Sequence, residues 1–410
     1  MTNQTKISFE NTEYAFAAKS DKELNQANFI FGIVGKAWLV NLGLKITPVA
    51  IKWGIPFTKA IIRKTIFRQF VGGETLEQTA KVADKLETYK VQVILDYGVE
   101  GKEGEANFEH ARDEFKRVID YAATQANIPF MSIKVTGFAR FALLEKLDAA
   151  MHNLSGTLMK RYLQAVESLS DTEKEEWHKV RLRTQQLCEV ADTKNIGILI
   201  DAEETWIQDP VDALTILMMD VFNKKKPVIY NTLQLYRHDR LQFLKDSYTA
   251  AVERDFILGT KLVRGAYMEK ERNRAAEMNY PSPIQPDKES CDKDYNAAVE
   301  FCIDHLDRTS VIVASHNEHS NLFTTQLLDK KGLPHNHPHV HFSQLYGMSD
   351  NITFNLAKAG CSVSKYLPFG PIKDVIPYLM RRAQENSSVS GQTGRELMLI
   401  KKELQRRASR

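Results

Sequence analysis

Residues 366–386, YLPFGPIKDVIPYLMRRAQEN, predict one strand–turn–helix unit, and units of this kind decide the fold of the chain. An apolar run ends at Tyr366, a Pro/Gly turn follows, and a proline opens a short helix, where its missing N–H costs little. On that helix Tyr378, Arg382 and Glu385 recur at three- and four-residue spacing. They therefore lie roughly along one helix face.

Two adjacent guanidinium groups, those of Arg381 and Arg382, stand in this unit beside Tyr366 and Tyr378. The planar fork of arginine suits a carboxylate better than the point charge of lysine does. The unit therefore offers a place where a small carboxylate binds against aromatic walls. The alternative is a solvated Arg–Arg pair at the end of a surface helix, which would contribute little.

The same rhythm of a short apolar run and a longer amphipathic stretch repeats from residue 91 onward. The runs are Val91–Tyr97, Phe130–Thr136, Ile196–Asp201, Pro227–Gln234, Phe256–Val263, Val311–Asn317, Val340–Leu345 and Ser362–Leu367. Each is too short and too β-branched to be a helix. Helical patterns fill most intervals, as at Phe108–Ala126, Pro210–Phe222, Arg237–Asp255 and Tyr295–Asp307. Eight such units predict an α/β fold of the (β/α)8 barrel type.

The prediction divides the chain into a helical N-terminal arm at 1–88, a barrel at 89–390 and a C-terminal helix at 391–410. The long interval after the second run predicts extra helices, one of them capped at Ser170 and Asp171. A polar group lies at or near the carboxyl end of each of the eight runs: Asp96, Lys134, Asp201, Gln234, Lys261, His316, Gln344 and Tyr366. The chemistry of such barrels lies at the carboxyl ends of their strands. Core packing alone does not produce eight polar ends, so we expect a functional site there.

The composition excludes several classes of protein. The chain has 410 residues, 43% of them hydrophobic and 26% charged, which is ordinary for a globular protein. Its net charge of +3 is too small to indicate a nucleic-acid partner. The four cysteines are widely spaced, which argues for reduced thiols. We see no signal peptide and no spanning segment, and we expect a cytoplasmic protein, or one peripheral on the cytoplasmic face of the inner membrane.

The charge pattern of the N-terminal arm is unusual. No acidic residue occurs between Glu23 and Glu74, whereas basic residues alternate with large apolar ones over residues 29–68. Basic residues with Trp and Phe anchors are typical of an interfacial amphipathic segment. The alternative is an arm that packs on the body of the protein with its lysines in water.

The motifs resemble those of the proline dehydrogenase family. The segment KLVRGAYMEKER, which begins at Lys261, resembles the family's signature on strand five, and residues 366–386 resemble its closing motif. Shorter matches occur in the same order around Lys134, Asp201, Gln234, His316 and Gln344. The similarity covers about residues 60–390.

The resemblance implies a flavoenzyme that oxidises L-proline to Δ1-pyrroline-5-carboxylate, the first step of proline catabolism, with hydride passing from C5 to N5 of FAD. Arg381, Arg382 and Lys134 would hold the substrate carboxylate, and Tyr366, Tyr378, Tyr267 and Leu345 would surround the ring, with Asp201 as the charge partner. No general base for the amine is assigned. A bulky Tyr366 should crowd a hydroxyl at C4, so we expect proline to be preferred over hydroxyproline.

The resemblance also implies a set of flavin contacts: Gln234, Lys261, the Val263 backbone, Gly265, Ala266, His316, Asn317 and Glu385. Two positions depart from the family pattern. Lys261 stands where some members carry arginine and lacks the forked contact, and Cys291 stands where several have threonine at a nucleotide contact. Glu100 matches an acidic gate residue that pairs with Arg381. The implied electron acceptor is a membrane quinone, and a separate pyrroline-5-carboxylate dehydrogenase would take the product.

Some of these features also fit three other interpretations. A Schiff-base aldolase with Lys134 or Lys261 as nucleophile explains the lysines but gives the Arg–Arg helix no role. A non-catalytic binding barrel does not account for a complete set of polar strand ends. The histidines of residues 335–341 look like a metal site, yet no carboxylate or cysteine completes a set there, and we predict a solvated loop and no metal.

Overall fold

The structure is a computed structural model, and it describes residues 7–35, 38, 40, 43, 46, 53, 58–98, 103–388 and 392–409. Glu100, the expected gate residue, and Lys36, Lys45 and Lys52 of the basic arm lie outside the described residues. Glu385 lies in a described helix, but its side chain is outside the description.

Eight parallel strands form a closed barrel in the order β1 to β8, which confirms the predicted (β/α)8 fold. They are β1 (Gln92–Tyr97), β2 (Phe130–Ile133), β3 (Gly197–Ile200), β4 (Ile229–Gln234), β5 (Leu258–Val263), β6 (Thr309–Ala314), β7 (Val340–Leu345) and β8 (Val363–Phe369). Their residues are almost continuously buried. Strands covered on both faces need apolar side chains on both, so these runs lack the alternation of a half-exposed strand.

The helices account for most of the remaining described chain. The N-terminal helices are α1 (Thr12–Ala15), α2 (Asp21–Val34), α3 (Thr58–Ile62), α4 (Arg68–Phe70) and α5 (Leu76–Glu87), with a π-turn at Arg63–Phe67. Between the strands lie α6 (Glu105–Ala122), α7 (Phe141–His152), α8 (Leu158–Glu167), α9 (Asp171–Lys194), α10 (Gln208–Phe222), α11 (Arg240–Glu253), α12 (Met268–Met278), α13 (Lys288–Asp304), α14 (Glu318–Lys330) and α15 (Asp350–Lys358). The chain closes with α16 (Ile376–Ser388) and α17 (Gln392–Ala408).

Local signals explain several of these boundaries. Ser170 caps α9 in a capping box with Glu173, as the sequence predicts. Helix α13 begins earlier than predicted, because Asp287 accepts a hydrogen bond from the backbone N–H of Ser290 and caps it. The predicted extra helices after the second strand are present as α7, α8 and α9.

By packing, the chain divides into two units, the first formed by 1–98, 316–322 and 342–410. In this unit β8 pairs with β1 and with β7 in parallel. The predicted end of β8 at Tyr366 is wrong, since the strand continues to Phe369. Pro368 has no N–H to give, but its carbonyl accepts a hydrogen bond from the Gly72 N–H at 2.8 Å, and Gly98 N–H donates to Phe369.

The terminal helices of the first unit share a core. Leu24, Ala27 and Phe31 of α2 are buried in one apolar cluster with Leu399 and Ile400 of α17. Burial of these side chains, at roughly 25 cal/mol per Å² of apolar area, holds the N-terminal segment against the C-terminal helix. One face of the arm therefore packs on the protein itself.

The second unit consists of residues 99–315 and 323–341. Its strands pair in sequence order, β2 with β3, β3 with β4, β4 with β5 and β5 with β6. Three predicted strands end earlier than expected, and one of them, β3, stops at Ile200, one residue before Asp201. The chain turns into a 3₁₀ helix at Lys134, and β6 stops at Ala314, so that His316 and Asn317 stand in the loop that follows.

No helix in the described part of the chain is both long enough and apolar enough to cross a lipid bilayer.

Candidate active site

A buried ion cluster lies at the carboxyl ends of β2, β3 and β5 in the second unit. Asp201, the residue directly after β3, accepts a hydrogen bond from Lys134 at 3.1 Å on Oδ2. Its Oδ1 accepts from Lys261 of β5. Lys134 precedes Asp201 by 67 positions and Lys261 follows it by 60. The fold brings these three residues together, as their places at strand ends predict.

The electrostatics of this cluster favour the charged forms. Burial alone would raise the pKa of the Asp201 carboxyl, but the ammonium groups of Lys261 and Lys134 outweigh it and hold that pKa well below its usual range. Carboxylates with perturbed pKa values occur both at functional sites and in structural ion-pair networks. The feature of this cluster that indicates a functional site is its position at the carboxyl ends of barrel strands.

Ser132 is a member of this cluster that the sequence analysis missed. Its hydroxyl donates to Asp201 Oδ1 at 2.6 Å. Ser132 and Lys134 are two residues apart at the end of one strand, so alternation places them on the same side. That periodicity was the available signal.

Gln234, the last residue of β4, has the properties expected of a cofactor contact. Its side-chain amide donates to the carbonyl of Glu203 at 2.9 Å. Its Oε1 is buried and has no hydrogen-bond partner among the described residues. Buried polar atoms normally have partners, so this oxygen is suited to a donor that a bound group supplies.

The backbone after β5 is shaped for close approach. Gly265 has φ +135°, and a Cβ at this position would lie 2.5 Å from the ring of Tyr236. Only glycine fits here. The segment of Gly265 and Ala266 is exposed, whereas Val263 is half-buried. Tyr267 is half-buried immediately before α12. These expected cofactor positions thus leave backbone accessible to a ligand.

Arg264 is a second residue that the sequence analysis did not assign. Its guanidinium donates to Asp292 and Ser315, both at 2.7 Å, and lies 4.2 Å from the centroid of the Tyr295 ring. Cys291, an expected nucleotide contact, is buried in the first turn of α13. Burial raises the pKa of its thiol to about 11, so it is protonated at neutral pH.

In the first unit, Tyr378 and Arg382 lie on one face of α16, as their spacing predicts. Both are buried, and the guanidinium carbon of Arg382 is 5.3 Å from the centroid of the Tyr378 ring. A buried guanidinium over an aromatic ring is not the solvated surface pair of the alternative interpretation. Arg381 is half-buried on the same helix, and Tyr366 is half-buried in β8.

The imidazole of His316, in the first unit, contacts both Ser349 and the backbone of Leu345. His316 Nδ1 lies 2.9 Å from the hydroxyl of Ser349, and the Leu345 N–H donates to His316 Nε2 at 3.5 Å. Leu345 is half-buried at the end of β7. Asn317, an expected cofactor contact, accepts from the Ser320 N–H at 3.1 Å and so caps α14. Gln344 contacts Asn321 and Thr353.

The histidines of residues 335–341 have protein partners. His335 lies 2.8 Å from Asp329, and His339 Nδ1 lies 2.9 Å from the Leu306 carbonyl. His341 is buried in β7 against the Phe130 ring, and burial lowers its pKa to about 3, so it is neutral. Within the described part of the chain, no group of three or more possible ligands could hold a metal ion.

Comparison with known proteins identifies the family to which this chain is similar. The family model described as proline dehydrogenase matches residues 79–395. A protein named proline dehydrogenase 1, mitochondrial, from Caenorhabditis elegans is 29% identical over 99% of this chain and 89% of its own length. A hydroxyproline dehydrogenase from Xenopus laevis is 30% identical over 96% of this chain and 88% of its own length.

Solved structures match the fold. Proline utilization A from Bdellovibrio bacteriovorus superposes with a TM-score of 0.70 at 18% identity, over 94% of this chain. The chain spans about 40% of the length of that protein. At this identity the likeness supports the barrel fold alone.

Proposed function

The chain belongs to the proline dehydrogenase family, and we propose that it oxidises L-proline to Δ1-pyrroline-5-carboxylate with FAD as its cofactor. One observation carries this proposal beyond family membership. Lys134, Asp201 and Lys261, three positions that match family motifs, meet in one buried hydrogen-bonded cluster at the ends of three strands. Active sites of barrels are built at these ends.

The proposed substrate contacts combine charge with shape. Lys134, Arg381 and Arg382 would bind the carboxylate, because charge-assisted hydrogen bonds to a carboxylate are the strongest that a protein offers. Tyr267, Leu345, Tyr366 and Tyr378 would fix the orientation of the pyrrolidine ring, and orientation accounts for a large share of catalysis. Asp201 holds the Lys134 ammonium in place. Glu100 would act as a gate beside Arg381.

The residues present fit a flavin. The Oε1 of Gln234, which has no hydrogen-bond partner among the described residues, can accept a hydrogen bond, and the exposed residues Gly265 and Ala266 leave a ligand access to this segment. Lys261, Val263, His316, Asn317 and Glu385 complete the proposed set, with Cys291 at the nucleotide end. Bound FAD would accept the hydride from C5 of proline. Lys261 would place its side-chain nitrogen, which donates to Asp201, near the flavin.

The aldolase alternative is less well supported. A Schiff-base lysine attacks as the neutral amine. Both Lys134 and Lys261 donate to the same carboxylate, whose lowered pKa reflects two ammonium partners. Both lysine nitrogens thus act as hydrogen-bond donors to Asp201, and the aldolase reaction gives the Arg–Arg helix no role.

The reduced flavin would have to be reoxidised, and we propose a membrane quinone as the electron acceptor. A separate pyrroline-5-carboxylate dehydrogenase would then oxidise the product of the reaction. Within the arm, Phe29, Trp38 and Trp53 are 62%, 67% and 79% exposed. Large exposed aromatics next to basic residues in the sequence favour peripheral contact with anionic lipid. One face of α2 packs on α17 and is not part of this proposed contact. We keep the division predicted from the sequence, with an arm at 1–88, a barrel at 89–390 and a helix at 391–410.

Co-sedimentation with anionic liposomes tests the membrane contact. We expect the protein to pellet with liposomes and the triple variant Phe29→Ser, Trp38→Ser, Trp53→Ser to remain largely in the supernatant. A control variant, Leu163→Ser, changes an exposed apolar residue of α8. Equal pelleting of all three proteins would contradict the contact.

The reaction is tested by the visible spectrum of the purified protein before and after L-proline is added without oxygen. We expect flavin absorption that bleaches with proline and bleaches less readily with hydroxyproline. A bound flavin that does not bleach would support FAD as the cofactor but contradict proline as the substrate. Failure to take up FAD would reject the proposed chemistry.

A further inference from the structure

The segment 345–349 comprises the last residue of β7 and the loop after it. This loop is held by side chains from other parts of the first unit. The Met348 carbonyl accepts from the buried Lys365 ammonium at 2.6 Å, and the Leu345 carbonyl lies 3.4 Å from it. The Gly347 carbonyl accepts from Gln69 at 2.7 Å. A Cβ on Gly347 would lie 1.9 Å from the Gln69 carbonyl oxygen, so the two backbones touch.

Ser349 ends this loop in a conformation that needs support. It is buried with φ +51°, in the left-handed region that non-glycine residues rarely adopt. Its N–H donates to Glu396 Oε2 at 3.0 Å, and its hydroxyl lies 2.9 Å from His316 Nδ1. Since His316 Nε2 accepts from the Leu345 N–H, Ser349 connects Glu396 to both ends of the loop.

Glu396 itself belongs to α17, the C-terminal helix, and it is buried among charges from three other segments. Asp350 at the start of α15 adds negative charge, while Lys365 of β8 and Lys19, before α2, add positive charge. Lys365 lies 2.8 Å and Lys19 2.9 Å from the Asp350 carboxylate. Tyr346 faces Lys19, and Arg395, next to Glu396, pairs with Glu318 and Glu10.

We propose that Glu396 is a positioning residue for the active site, which fixes the imidazole of His316 and the side chain of Leu345 by holding Ser349 in its left-handed conformation. The inference deepens the proposed function and rests on it, because that function assigns His316 to the flavin and Leu345 to the substrate ring. The C-terminal helix thus contributes to the reaction without touching substrate or cofactor.

Burial and the nearby Asp350 raise the pKa of Glu396 to about 7, against the opposing charges of Lys365 and Lys19. Above neutral pH the carboxylate makes a charge-assisted bond to the Ser349 N–H, which is stronger than the bond to a neutral carboxyl. The positioning should therefore tighten as pH rises through 7. This gives the role a signature that a purely structural residue lacks.

The test compares Glu396→Gln with a matched control, Glu403→Gln. Glutamine keeps an oxygen acceptor and the side-chain shape but cannot ionise. Glu403 is a buried carboxylate of the same helix that binds Arg406 and Arg407, away from the loop. The FAD-loaded full-length proteins are reduced by L-proline without oxygen between pH 6 and pH 8, and the FAD affinity of each apoprotein is measured by flavin fluorescence.

We expect the half-saturating proline concentration of Glu396→Gln, relative to the unaltered protein, to rise from about equal at pH 6 to about three- to tenfold higher at pH 8. The FAD Kd ratio should rise in the same direction. Glu403→Gln should give flat ratios near one. Flat ratios for Glu396→Gln, or the same pH trend in both variants, would overturn the inference.

The two levels of the proposal fail in different ways. If proline does not reduce the flavin of the unaltered protein, the proposed function fails, and the FAD Kd ratios still decide whether Glu396 positions His316. If proline reduces all three proteins with pH-independent ratios, the function stands and the positioning role falls.

Discussion

Two aspartates of this protein have nearly the same surroundings and different roles. Asp201 lies between Lys134 and Lys261 at strand ends of the second unit. Asp350 lies between Lys19 and Lys365 in the first unit. For both, burial alone would raise the carboxyl pKa, but two ammonium groups outweigh it and hold the pKa below its usual range, at about 2 for Asp350.

The difference is in where the lysines come from. Both partners of Asp201 stand at the ends of barrel strands, where ligands bind. Lys19 of the Asp350 cluster comes from the N-terminal segment, and a second acid, Glu396, joins it from the C-terminal helix. We therefore expect the same ion chemistry to serve the proposed site in one place and to hold the two terminal segments together in the other. Charge composition alone does not distinguish the two.

Replacing the two aspartates one at a time should separate these roles most clearly. We expect Asp201→Asn to lower kcat/KM for proline by about 100-fold or more, because a preorganised charge in the site is lost. Asp350→Asn should chiefly lower the melting temperature, since two buried ammonium groups lose their counter-charge. Flavin-reduction kinetics per folded, flavin-loaded protein and thermal melts measure both. Similar kinetic losses in the two variants would show that the clusters are equivalent.

Arg382→Met sharpens the comparison by removing a charge that lies on a helix instead of a strand. We expect the KM for proline to rise roughly 10- to 150-fold, the equivalent of a charge-assisted hydrogen bond of about 1.5–3 kcal/mol. Arg117→Met is the control, since Arg117 pairs with Glu114 on the surface of α6. An unchanged KM in Arg382→Met would remove this residue from the substrate carboxylate.

Tyr366→Ser tests the shape of the site and not its charge. Serine lacks the aromatic ring of tyrosine and so leaves space for a hydroxyl at C4 of the substrate ring. The preference for proline over hydroxyproline should therefore fall about three- to tenfold. The similarity to a hydroxyproline dehydrogenase makes this ratio informative. Tyr248→Ser, on α11 against Phe301, is the control. Equal relative losses on both substrates would contradict the role.

The smallest expected effect concerns stability at Glu396. Its folded-state pKa is raised from its ordinary value of 4.5 to about 7, so between these values the folded protein binds more protons than the unfolded chain. Stability from this group is therefore lost as pH rises through that window. Glu396→Gln lacks this loss, and its melting temperature relative to the unaltered protein should rise by about 1–3 °C from pH 5 to pH 7.5. A constant difference would mean that Glu396 does not titrate there.

Local sequence patterns sufficed for the barrel and for part of its chemistry. Strand length and β-branched content predicted eight strands, and the residue at each strand end placed Lys134, Asp201 and Lys261 on a common edge, because parallel strands of one barrel end together. Capping residues such as Ser170 fixed helix starts for equally local reasons. Strand ends were predicted less well. Strand β8, for example, continues past Tyr366 through Pro368, whose carbonyl accepts a hydrogen bond from the Gly72 N–H.

The partners of these groups were decided by the tertiary structure. Ser132 completes the Asp201 cluster through a hydroxyl that any strand could carry, and Glu396 reaches Ser349 from 47 residues away. Periodicity records which face of its own element a residue occupies. It carries no record of which distant charge that face will meet, since burial and pairing depend on elements that are remote in sequence. The sequence thus determined the fold and the edge at which we propose the chemistry. Only packing decided which Lys–Asp–Lys cluster lies at strand ends and which one joins the N-terminal and C-terminal segments.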